Sequence, residues 1–88
     1  MPRSLEPRHE VFTGEHRGFS YVINADKIDR LFNKYDWAAK VVRLVRFGTP
    51  SVDVSYLGSE HWGETPGQAW RLAEDEARRW IDRQLDKQ

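Results

Sequence analysis

The chain has 88 residues, with fourteen basic and fourteen acidic side chains, four Trp, four Phe, three Tyr and no Cys. That length makes one small domain of limited burial, and the missing cysteine excludes a disulfide framework, a thiolate metal site and a thiol nucleophile. Zero net charge argues against a generic nucleic-acid binder, which carries a basic excess, and no apolar run approaches the ~18 residues of a membrane span.

Residues 1–9 hold two prolines, two arginines and little apolar content. They read as a flexible tail ahead of a single domain over 10–88. The tail lacks the hydrophobic segment of a secretory signal, which with the absence of cysteine points to a cytoplasmic protein. Val11 and Phe12 begin a strand that ends at T-G-E-H-R-G, a turn with glycines at both ends. F-S-Y-V-I then alternates, with Phe19, Tyr21 and Ile23 on one face. Residues 26–35 read as a short helix, capped by Asp26, with Ile28, Leu31, Phe32 and Tyr35 on one stripe.

Residues 37–58 read as a second hairpin turning at Gly48 to Ser51. That turn sets Phe47 opposite Val52, Val45 opposite Val54, Arg46 opposite Asp53, Leu44 opposite Ser55 and Val42 opposite Leu57. Val41, Val45, Phe47, Val52 and Val54 then form the floor for the helices. Residues 59–64 read as a loop containing Trp62.

Thr65 opens the clearest element, a long helix to about Leu85. Thr65 can cap it, Gln68 can complete a capping box, and Pro66 fits the first helical position. Trp70, Ala73, Ala77, Trp80, Ile81 and Leu85 share one face. Arg71–Asp75, Glu74–Arg78 and Asp75–Arg79 are i,i+4 pairs on the rest of the helix, and the mid-stripe alanines point to close approach to a sheet. The fold expected is α+β: a small antiparallel sheet of three to four strands with two helices, in the order β-β-α-β-β-α.

No catalytic or ligand motif stands out. His9, His16 and His61 fall in the tail, a turn and a loop, without metal-ligand spacing. Glu60, His61 and Glu64 are neighbours in a loop that offers no evident burial. No phosphate loop and no nucleophile elbow is present. The reading is therefore a non-enzymatic protein without cofactor or metal.

The outer face of the second hairpin carries the functional expectation. By the register above, Val42, Leu44 and Leu57 cluster there, with Lys40, Arg46 and Asp53 as a polar rim. Either a helix covers each sheet face, or this patch meets another chain, a second copy included. Trp62 either seals the core edge beneath the start of the long helix or stands exposed as an interface anchor.

The residues G-E-T-P-G-Q-A-W-R-L-A, Gly63 to Ala73, resemble the strand-to-helix junction of HicB-type antitoxins. Gly63, Thr65, Ala69, Ala73 and the pair Trp80–Ile81 match its spacing. Upstream, the chain reads Y-L-G-S-E-H-W in place of that family's proline- and cysteine-containing segment. The resemblance implies a double-stranded-RNA-binding-like unit, a sheet packed on the C-terminal helix, and carries no catalytic residue. The functional expectation is a small protein-binding module, a regulatory or inhibitory protein of bacterial or phage origin. The alternative is a nucleic-acid-binding domain with the double-stranded-RNA-binding-like outline.

Overall fold

Arg17 and Gly18 both have positive φ, 49° and 85°, the backbone of a two-residue turn whose twist matches the strands it joins. In the computed structural model, which describes residues 8–28 and 36–87, this turn connects β1 (His9–His16) to β2 (Phe19–Lys27). Most of T-G-E-H-R-G is therefore strand, not turn. Gly14 serves inside β1 by leaving space: it faces Tyr21 across the ladder, and a Cβ there would lie 2.5 Å from the Tyr21 hydroxyl. The alternation expected in β2 holds, with Phe19, Tyr21, Ile23 and Ala25 all buried.

β3 (Trp37–Arg46) pairs antiparallel with β2. The ladder shifts by one residue: Val22 pairs with Arg43 but Ile23 pairs with Val41, leaving Val42 without a partner. This is a β-bulge, two residues opposing one. Val41 and Leu44 consequently both enter the core, while Val42 and Arg43 both point out. β4 (Val52–Val54) and β5 (His61–Gly63) share the far side of β3, pairing with its C-terminal and N-terminal thirds. The sheet order is β1-β2-β3-β4, with β5 also on β3.

Helix α1 (Pro66–Asp86) lies across one face of this sheet. The Gln68 N–H donates to Thr65 Oγ1 at 3.1 Å, and the Gln68 side chain accepts from the Glu64 N–H at 2.9 Å. The box thus closes on the residue before the cap. Ala69, Ala73, Ala77 and Ile81, four residues apart, form the buried seam. Small side chains there allow the helix axis close to the sheet. Trp70 and Trp80 flank the seam, Trp70 stacked on Phe12 at 4.8 Å and Trp80 against Phe19 and Tyr56 at 6.3 and 5.2 Å.

The order among the described residues is β-β-β-β-β-α, with one helix, and this corrects the expected β-β-α-β-β-α with two helices. β2 continues through Lys27, and Asp26 pairs with His9 and Ala38 in the sheet, so it caps no helix. The remainder of the expected short helix, 29–35, lies outside the described residues, as does 1–7 of the expected tail. Residues 61–63, expected in a loop, form β5. Of the three i,i+4 ion pairs expected, Glu74–Arg78 is formed at 3.7 Å.

Gly63 marks the tightest joint between sheet and helix. A Cβ at this position would lie 2.6 Å from the Ala69 backbone nitrogen and 2.7 Å from Gln68 Cβ. The crowding atoms all belong to the Gln68–Ala69 turn of the helix and sit on or next to its backbone, so they cannot swing aside. Gly63→Ala is expected to destabilise by about 1–3 kcal/mol, the range for overpacking a tight site, measured by urea denaturation with an unchanged m-value.

Candidate functional site

Among the described residues, two regions carry most of the polar chemistry: the sides of α1, and the sheet face that α1 leaves open. On the helix, three carboxylates each reach a different part of the sheet. Glu74 Oε2 accepts from the Tyr21 hydroxyl at 2.6 Å, and Arg78 Nε donates to the same hydroxyl at 3.4 Å. Asp82 Oδ1 lies 2.8 Å from His16 Nε2 and 2.9 Å from Arg17 Nη1, which fastens the helix to the first hairpin turn. Glu76 gathers the linker between β4 and β5: it accepts from the Tyr56 hydroxyl, from the Ser59 N–H at 3.0 Å, and lies 2.7 Å from His61 Nε2.

Burial pushes the Glu76 carboxyl up, but the hydrogen bonds from Tyr56, His61 and Ser59 outweigh it and hold the group below the ordinary glutamate range. Burial first, and then the Glu76 carboxylate, push the Tyr56 phenol far up. Burial and Glu74 raise the Tyr21 phenol in the same way. A carboxylate held down is ionised at neutral pH and a weak proton acceptor. A phenol held up keeps its proton. These are the properties of a clamp between helix and sheet. Among the described residues no His, Asp and Glu side chains group as a metal-ligand set.

The open face lies opposite the helix. It carries Val11 and Thr13 of β1, Val22 and Asn24 of β2, Ala38, Lys40, Val42 and Arg43 of β3, Asp53 of β4 and Trp62 of β5, by the alternation and pairing of the strands. Val11, Val42 and Trp62 are 54%, 44% and 40% exposed. Asn24, Asp26, Ala38, Lys40, Val42 and Glu60 border a shallow concavity of about 490 Å³. Trp62 Nε1 donates to Glu60 Oε1 at 2.5 Å.

The patch expected from the sequence is not assembled as drawn. Observed pairing is Leu44 with Val54, Val45 with Asp53 and Arg46 with Val52, one residue away from the expected register. Leu44 is in the core at 1% exposure, and Leu57 stands 89% exposed beyond the end of β4. Val42 alone of the three aliphatics is on the open face. The polar rim is split as well: Lys40 stays with Val42, whereas Arg46 is on the helix side, its guanidinium 5.9 Å above the Phe19 ring. Arg43 takes the role expected of Arg46 and holds Asp53 at 3.0 Å. Trp62 pairs with Ala38 on the open face, while Gly63 occupies the place beneath the helix start. Sequence reading missed the Tyr56–His61–Glu76 cluster, because its members are 5 and 15 residues apart and no spacing rule joins a linker to a helix flank.

Comparison of the chain with protein-family models, curated proteins and solved structures gives no match. The positions that carry the resemblance to a HicB-type junction are structural here: Thr65 caps, Gly63, Ala69 and Ala73 pack. Among the described residues no helix is long and apolar enough to cross a membrane.

The depressed Glu76 carboxyl has a defined pH signature. Its folded value lies below its unfolded value, so its stabilisation is complete above the ordinary 4.5 and is lost as pH falls through the folded value. Glu76→Gln is expected to cost about 1.5–3 kcal/mol at neutral pH, the range for hydrogen bonds to a charged group. In paired urea titrations the gap from wild type should close as the pH is taken below 4.5.

Proposed function

We propose that this chain is a small non-enzymatic protein-binding module that docks its partner on the open sheet face. The observation that carries the reading is the coverage: α1 packs on one face, and no described element packs on the other. That bare face presents Val11, Val42 and Trp62 in water, and antiparallel sheets that end in solvent normally set polar residues there. Trp is enriched at the anchoring points of interfaces. Lys40 and Arg43 against Asp26, Asp53 and Glu60 give a rim of both signs, which suits a protein partner better than a polyanion. A regulatory or inhibitory protein of bacterial or phage origin is the setting this composition fits.

A photo-crosslinking residue at Val42 is expected to trap a discrete protein adduct in the native host, and the same residue at Asp75, exposed on the outside of α1, to trap none. Equal adducts from both positions, or none from Val42, would remove the open face from the reading.

One observation favours a second reading. Arg71, Arg79, Arg83 and Lys87 recur at four-residue spacing along α1, interrupted by Asp75, and the three arginines form no ion pair with a described residue. A basic ridge of this kind suits a phosphate backbone. Under this reading, a gel shift with duplex probe at low salt is retained at about 100 μM protein, the weak end of non-specific affinity, and falls steeply with added salt. A probe that runs free throughout that range sinks the nucleic-acid reading.

A further inference from the structure

The two edges of the sheet differ in kind. One is cut into β4 and β5, three residues each, the short pieces by which sheets discourage edge pairing. The other is β1, eight residues in unbroken register with β2, without proline and, among the described residues, without a second neighbour. The two-residue turn makes His16 and Phe19 the closing hydrogen-bonded pair. Alternation along an antiparallel ladder then commits the even-numbered residues of β1 to β2. His9, Val11, Thr13 and Glu15 therefore direct their N–H and C=O groups to the open side.

We propose that two copies of this chain pair antiparallel through β1, about a twofold axis at Phe12. Pairing must set odd against odd positions, or every side chain changes face. With the axis at Phe12, Val11 meets Thr13, His9 meets Glu15, Glu10 meets Gly14, and Phe12 meets its own copy. Aromatic faces aromatic, a β-branched pair forms twice, and no like charges are opposed. An axis at Thr13 instead sets Val11 against Glu15 twice and Phe12 against Gly14. An axis at Val11 shortens the ladder and sets Glu10 against Phe12. The helix side also fits the first register. Phe12 and Trp70 stack beside an open groove of about 470 Å³, bordered by Glu10, Thr65, Gln68 and Arg71, where the second Phe12 can lie. Pairing at the edge extends the open face across two copies without covering it, so this inference stands apart from the docking reading.

Sedimentation equilibrium across a concentration series is expected to show twice the 10.4 kDa chain mass. Thr13→Pro should return the mass to that of one chain with circular dichroism unchanged and a melting temperature that no longer depends on concentration. Its lost N–H faces the open edge, where proline is tolerated. The chain has no cysteine, so single cysteines report the register. Phe12→Cys is expected to link two copies on oxidation, because a non-hydrogen-bonded antiparallel pair holds its Cα atoms about 4.5 Å apart, within disulfide reach. Thr13→Cys, which meets Val11, should not link. A single-chain mass at every concentration overturns the proposal, as does a dimer untouched by Thr13→Pro in a folded protein. Should Thr13→Pro fail to fold, the cysteines decide: linking by Thr13→Cys as good as by Phe12→Cys overturns it.

Discussion

Val42 has no partner across the β2–β3 ladder, and the parity of the sheet's second half follows from that one unpaired residue. Before it, Trp37, Ala39 and Val41 turn toward the helix; after it, Leu44 does. Without the bulge, Leu44 would sit on the open face, and Arg43 and Val45 would take core positions. The guanidinium would then be buried without a partner, at a cost of several kcal/mol. A single inserted residue is the cheaper solution, since it leaves one ladder position unmade and bends the strand locally. The same bulge lies at the gap between β4 and β5, which pair with β3 on either side of it. One local irregularity thus sets the core, the broken edge and the residues left on the open face.

The helix depends on this arrangement in turn. Ala69, Ala73 and Ala77 supply proximity and little apolar area, so Trp70, Trp80 and Ile81 carry most of the burial. Such a seam positions a helix poorly about its own axis, because methyl groups interlock weakly. Glu74, Glu76 and Asp82 supply the missing orientation, each bonded to a different sheet segment. Tyr21, Tyr56, His16 and His61 are their partners, and at Glu76 the hydrogen bonds outweigh burial and favour the charged carboxylate. What reads in the sequence as a solvated charged face is in part a set of tertiary fastenings. The helix, held this firmly on one side, leaves the opposite sheet face without a described element packed on it.

Several features were legible from local chemistry. Thr65, Pro66 and Gln68 start the helix where capping rules place it. Phe19, Tyr21 and Ile23 alternate into the core, and the apolar period of residues 70–85 marks the buried side of the helix. Each depends on contacts within a few residues, so the order of side chains along the chain suffices to specify them. The existence of a sheet carrying a long C-terminal helix followed from these elements together.

Tertiary structure alone decided the rest. Whether V-V-R-L-V alternates or bulges depends on what each side chain meets across two ladders, and one residue of slip exchanges the faces. That is why Val42, Leu44 and Leu57 read as one patch and are found on the open face, in the core and beyond β4. The short apolar period after Asp26 suggested a helix, while pairing with His9 and Ala38 kept Asp26 and Lys27 in the strand, since ladder partners override a weak local preference. His61 and Trp62 became strand because β3 offered an unpaired edge at Trp37–Ala39. In each instance the deciding partner is distant along the chain, and residue order fixes local preference without fixing which distant group will meet it.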